Sequence, residues 1–244
     1  MGSYFPYALA LMFTVSALHY GSAFHSFLSK QHEWKKLILT HHWPVTVCKM
    51  EKVQCDNLPN YWTLHGLWPD KSQMCNNSWH FDFSQIQDIL PQMNMYWPDL
   101  LHTNKSQLWK HEWQKHGTCA ASLESLNSQH KYFSKGLELY MKVDLNSALK
   151  KSGITPSTKY YDVKDIINAI VNLYGVVPKI QCLPPRQGED AQTLGQIEIC
   201  FTKEFQLRNC TDKVTDFPGS SLINEDLQLC NHNLNTYYPP LSSL

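Results

Sequence analysis

The chain is expected to fold as one α+β domain, a central antiparallel β-sheet flanked by helices and stapled by disulfides. Three observations predict this. Strand-like and helix-like apolar patterns are interleaved along the 244 residues without the regular alternation of a doubly wound parallel sheet. All eight cysteines follow an apolar leader and none forms a Cys-x-x-Cys pair, which suits disulfides in an oxidising compartment better than zinc or redox chemistry. No internal repeat or low-complexity tract divides the chain, and its length allows a sizeable core.

In chain order, Tyr7 to Leu18 is apolar but too short to span a bilayer, and the small residues Gly21 and Ala23 follow it. Residues 1–23 therefore read as a secretory signal peptide and 24–244 as a single domain with no transmembrane segment. Trp34 to Trp43, with Leu37-Ile38-Leu39, reads as a buried strand ended by Pro44. Tyr61 to Leu67 reads as a second strand, with His65 and Trp68 near its boundary with a loop. Ser84 to Leu90 suggests a short helix, and Ser106 to Gly117 a helix capped by Ser106. Phe133, Leu137, Tyr140 and Met141 give Ser128 to Lys150 the spacing of one long amphipathic helix closed by Gly153. Val163, Ile166, Ile167, Ile170, Val171 and Tyr174 predict a helix from Asp162 to Tyr174, with Gly175 just past its end. Val177 to Leu183 and Gly195 to Lys203 read as strands around a Pro184 to Gly188 loop, and the tail from Cys210 is irregular and tethered by Cys230.

Formal net charge is zero, which disfavours a general nucleic-acid binder that relies on a broad basic surface. The twelve histidines change this in acid, where they charge before Asp and Glu lose theirs. His25, His32, His80, His102, His130 and His232 read as unrelated surface residues. Sequons at Asn76, Asn104 and Asn209 lie in polar, turn-like surroundings and are candidate glycan acceptors.

Chemistry concentrates in two segments, Trp62-Thr63-Leu64-His65-Gly66-Leu67-Trp68-Pro69-Asp70 and Trp109-Lys110-His111-Glu112-Trp113-Gln114-Lys115-His116-Gly117-Thr118-Cys119. On an α-helix Glu112 and His116 lie roughly 40° apart, as do His111 and Lys115. An acid, imidazoles and an ammonium on one surface suit proton transfer around an anion, with phosphoryl transfer the obvious candidate. Trp109 and Trp113, four residues apart, read as core packing. A zinc-protease helix needs its second histidine four residues after the first, where Lys115 stands. No nucleophile elbow or Walker-type phosphate loop is present.

Together the two segments resemble the active-site segments of the ribonuclease T2 family of secreted and lysosomal endoribonucleases, closest to its animal members. The similarity runs from Trp34 through Cys230 and includes Trp43-Pro44 and Ile180-Gln181-Cys182. It implies the disulfides Cys48 with Cys55, Cys75 with Cys119, Cys182 with Cys230 and Cys200 with Cys210. Parity alone leaves about 105 connectivities. The resemblance also implies metal-free and cofactor-free cleavage of single-stranded RNA, not DNA, through a 2′,3′-cyclic phosphate. In that scheme His116 is the base and His65 the acid, Glu112 and Lys115 stabilise the charged phosphorus, and His111 binds phosphate. Trp68 and Asp70 match residues that hold the base 5′ to the cut by stacking and hydrogen bonding. Leu108 and His42 stand where many members have phenylalanine and glutamine, so contacts 3′ to the cut are left open. A monomer of the secretory pathway, extracellular or lysosomal, is expected. The competing class is a secreted signalling or binding protein on the same fold, whose signature would be loss of His65 or His116; both are present.

Overall fold

Leu37–His42 forms strand β1, and Pro44 opens the next element: its fixed φ and missing N–H suit the first turn of helix α1, Pro44–Glu51. The expected strand end is thus also a helix start. The computed structural model describes residues 33–102, 104, 106–211 and 227–243, so the expected signal peptide, His25 and His32 lie outside the described residues.

Strand β2, Thr63–Pro69, pairs antiparallel with β1 along its whole length, beyond the expected end at Leu67. Pro69 is tolerated because β2 lies at the edge of the sheet. A 3₁₀ segment, Phe83–Ile89, leads into α2, Leu90–Tyr96. Helix α3, Gln107–Glu112, continues through a π turn, Trp113–Gly117, into a last turn, Thr118–Ala120. Ser106 does not cap it as expected; its hydroxyl bonds to Asn104 instead.

The long helix expected from Ser128 is two helices, α4, Gln129–Lys142, and α5, Leu145–Lys151. Ser128 caps the first, and Asp144 breaks the run by capping the second through Ser147 N–H. Met141, expected on the buried face, is 61% exposed. Strand β3, Tyr160–Tyr161, precedes α6, Val163–Tyr174, which ends as expected with Gly175 in the left-handed region, φ 72°. Strands β4, Lys179–Leu183, and β5, Ala191–Phe201, follow, with the short β6, Leu207–Arg208, and β7, Gln228–Leu229. The tail is less irregular than expected, because β8, Asn235–Tyr237, joins the sheet.

The sheet order is β2-β1-β5-β4-β7, antiparallel throughout that path; β8 adds a parallel pairing with β5. The core between sheet and helices contains Trp34, Trp43, Trp62, Trp97, Trp109 and Trp113, together with Leu37, Leu39, Ile197, Ile199 and Phe201. Disulfides join Cys48–Cys55, Cys75–Cys119, Cys182–Cys230 and Cys200–Cys210. Cys75–Cys119 ties the loop after β2 to the last turn that follows α3.

Candidate active site

A β-bulge places His65. Thr40 pairs with Gly66 and His41 with Leu64, so His65 is the extra residue on β2. The bulge breaks the two-residue period. Leu64 and Leu67, three apart, both enter the core fully, while His65 and Trp68, also three apart, both reach the site. The irregular backbone is held by side chains: Trp97 Nε1 donates to His65 O at 2.8 Å and Tyr132 Oη to Leu67 O at 2.8 Å. His65 therefore stands within β2, whereas Trp68, one residue before the strand ends at Pro69, lies near the boundary the sequence suggested.

The second segment turns inward through the π turn. Trp109 and Trp113 pack into the core as expected; Trp113 meets Trp79 edge-on at 4.9 Å between centroids. Glu112 and His116 share that inward side, at 0% and 2% exposure, while Lys115 is half-buried and His111 faces solvent. The wider π turn lies between Glu112 and His116, so the α-helical angle expected between them does not apply. Gly117 makes the turn feasible, since a Cβ there would overlap the Trp113 ring.

One indole joins the two segments. Trp68 Nε1 donates to Glu112 Oε2 at 2.7 Å; its ring stacks on His116 at 5.0 Å and meets His65 edge-on at 5.0 Å. Glu112 Oε1 lies 3.8 Å from His65 Nε2. Gly66 is required for this closeness, because a Cβ there would overlap both Trp68 Nε1 and Glu112 Oε2. From β1, His42 stacks on His65 at 5.2 Å, and from β5 Gln196 Oε1 lies 3.0 Å from His65 Nδ1.

Two residues expected to contact a base also have protein partners. Trp68 is only 6% exposed, with one face against His116 and its N–H given to Glu112, so it is built into the wall of the site. Asp70 Oδ1 accepts from the backbone of Lys35 and Lys36 and fixes the entry to β1. Leu108 packs at the edge of the core, and its N–H donates to Asp99.

Burial controls the charges. Desolvation raises the Glu112 carboxyl to about 8, against the Trp68 hydrogen bond and Lys115, so it holds its proton in acid. Desolvation lowers His65 to about 4, with His111 and Lys115 adding to the effect and Gln196 opposing it. His116 falls to about 2, again mainly by desolvation and then by Lys115, His65 and His111. His42 is well below its ordinary value for the same first reason. Lys115 and His111 are lowered too, first by desolvation. Neither ring nitrogen of His116 has a hydrogen-bond partner among the described residues. Such a ring is uncharged over most of the acid range.

The family model described as the ribonuclease T2 family matches residues 34–210. The chain belongs to the ribonuclease T2 family. Over 188 residues it is 58% identical to ribonuclease T2 of Homo sapiens, covering 76% of this chain and 73% of the relative. Over 224 residues it is 51% identical to ribonuclease T2 of Danio rerio, covering 89% and 92%. The crystal structure of human RNase T2 superposes with a TM-score of 0.74 at 51% identity, over 85% of this chain and 99% of that one. Ribonuclease MC1 from bitter gourd seeds gives 0.67 at 30% identity, over 73% and 95%. Within this T2 fold, Gly66 and Gln196 carry site geometry that the sequence reading assigned to no one. Gln196 had a signal, the strict alternation Gln196-Ile197-Glu198-Ile199, which sends two polar side chains to one face of a buried strand.

Proposed function

We propose that this animal-type T2 endoribonuclease cleaves single-stranded RNA by transphosphorylation, with His116 as general base and His65 as general acid. His116 takes the ribose 2′-hydroxyl proton, the 2′-oxygen bonds to phosphorus, and the bond from phosphorus to the 5′-oxygen breaks. His65 Nε2 gives its proton to that leaving oxygen, so the products are a 2′,3′-cyclic phosphate and a free 5′-hydroxyl. Hydrolysis to a 3′-phosphate runs the same exchange in reverse, with water as nucleophile. RNA brings its own nucleophile, and DNA lacks it.

The observation that carries this reading is the convergence of His65, Glu112 and His116 on the Trp68 indole. Glu112, protonated in acid, presents a neutral Oε1 hydroxyl beside His65 and donates to the charged phosphoryl oxygens, while Lys115 adds positive charge. His111, nearer the surface, binds phosphate. In this scheme Trp68 positions Glu112 and His116 and does not itself stack on a base. The depressed histidine values favour work in acid, which agrees with a lysosomal or extracellular enzyme. We extend the proposal to a signal peptide at 1–23, a monomeric mature protein, and glycans at Asn76, Asn104 and Asn209, all three exposed.

The test is incubation of the purified protein with single-stranded RNA and with DNA, with and without EDTA, followed by identification of the ends. Cyclic phosphate and 3′-phosphate ends from RNA alone, unchanged by EDTA, are expected. Cleavage abolished by EDTA and restored by zinc, or equal cleavage of DNA, would overturn the mechanism.

A further inference from the structure

We infer that Gln196 is a positioning residue for the general acid, an amide locked in one orientation that fixes which nitrogen of His65 exchanges its proton. This rests on the acid role of His65 proposed above.

The strand registers align His42, Gln196 and Gln181 in one row across β1, β5 and β4, and Thr40, Glu198 and Lys179 in the next. Lys179 Nζ donates to Glu198 Oε1 at 3.0 Å, and a carboxylate holding an ammonium can only accept hydrogen bonds. Gln196 Nε2 donates to that same Oε1 at 3.3 Å and to Gln181 Oε1. The amide nitrogen is thereby committed, and the carbonyl oxygen must be the atom 3.0 Å from His65 Nδ1. A carbonyl only accepts, so Nδ1 keeps its proton in both charge states of the ring. The exchangeable site is Nε2, the nitrogen facing Glu112. Gln181, Gln196 and Glu198 are all buried, which keeps water from competing for these bonds. The other charged or titratable groups around His65 are His111 and Glu112 from α3, Lys115 and His116 from the π turn that follows it, and His42 from β1.

The two chemical steps need this device unequally. In cyclisation His65 acts as imidazolium, with protons on both nitrogens. In hydrolysis of the cyclic phosphate it acts as a neutral base: Nε2 takes a proton from water, water oxygen bonds to phosphorus, the bond to the 2′-oxygen breaks, and His116 protonates that oxygen. Only the ring with its proton on Nδ1 can do this. Removing Gln196 should therefore slow hydrolysis more than cyclisation, and replacing the neutral amide by a carboxylate should make His65 a weaker acid.

The experiment uses the full chain with Q196L, the charge-preserving Q196E/E198Q pair, and H65A as control. Nitrogen-15 NMR of wild type at neutral pH should show His65 protonated at Nδ1 and bare at Nε2. Q196L should lose about threefold to tenfold more in hydrolysis of a 2′,3′-cyclic nucleotide than in cyclisation of a dinucleotide. Q196E/E198Q should move the descending limb of kcat/KM up by about 1 to 3 pH units. A wild-type ring protonated at Nε2, or equal losses in both steps with an unmoved limb, would overturn the inference. If Q196L fails to fold, the wild-type spectrum and the double variant decide. Full activity in H65A would instead remove the acid assignment, whereas an inactive H65A beside wild-type behaviour of the Gln196 variants removes the positioning role alone.

Discussion

Replacing Glu112 with glutamine removes a titrating group from the interior, and its effect on stability should depend on pH in a direction that burial fixes. Desolvation raises the carboxyl from 4.5 to about 8, against the opposing pull of Trp68 and Lys115. Between those values the folded protein binds a proton that the unfolded chain has released, so wild-type stability falls as pH rises through the interval. The histidines act oppositely: their folded values lie below 6.5, so the stability they contribute is lost as pH falls toward those values. They are present in both proteins and largely cancel in the difference. At about 1.4 kcal/mol per pH unit, the carboxyl alone gives E112Q a relative gain of up to about 5 kcal/mol between the two ends of the interval. Urea unfolding of both proteins from about pH 4 to about pH 8.5 measures it. The gap between variant and wild type should widen steadily with pH. A gap that stays constant would mean that Glu112 ionises normally where it lies, and the dry, proton-holding site described above would be wrong.

Trp68→Ala should cost about 3 to 5 kcal/mol of stability as well as most activity, because the indole is buried and its loss strips Glu112 of its donor. Chemical unfolding beside single-turnover kinetics separates the two losses, and near wild-type stability would return Trp68 to a free, base-stacking role. Gly66→Ala should push Trp68 from Glu112 at a cost of about 1 to 3 kcal/mol and lower kcat with little change in KM. Unchanged kinetics would show that the close approach does not matter.

Local signals were legible and long-range ones were not. Helix α6 could be read because its apolar repeat and Gly175 are contained in its own sequence. The break between α4 and α5 was hidden by a continuing apolar spacing, although Asp144 three residues before Ser147 is a cap signal that outranks it. The bulge at His65 depends on pairing with β1, and nothing within β2 announces it. The two motif segments could be placed in one site through resemblance alone. Their joint, an indole hydrogen-bonded to a carboxyl over a glycine, is tertiary. The burial of Trp68, 6% exposed, could not be judged from one strand. Gln196 escaped because it meets His65 across 131 residues of chain.

The most direct test of the paired-histidine mechanism is kcat/KM for a short RNA across about pH 3 to about pH 8 at fixed ionic strength, since this ratio reports the free enzyme's acid and base. His116 must be neutral and His65 protonated. Burial lowers both rings, which keeps His116 neutral in acid and puts the descending limb, set by His65, below the 6.5 of an ordinary imidazole. A rate highest at the acid end of this range, falling along a descending limb that lies below about pH 6.5, is the predicted result. A rate that keeps rising to a maximum above about pH 7.5 would contradict the assignment of His65 as acid and His116 as base.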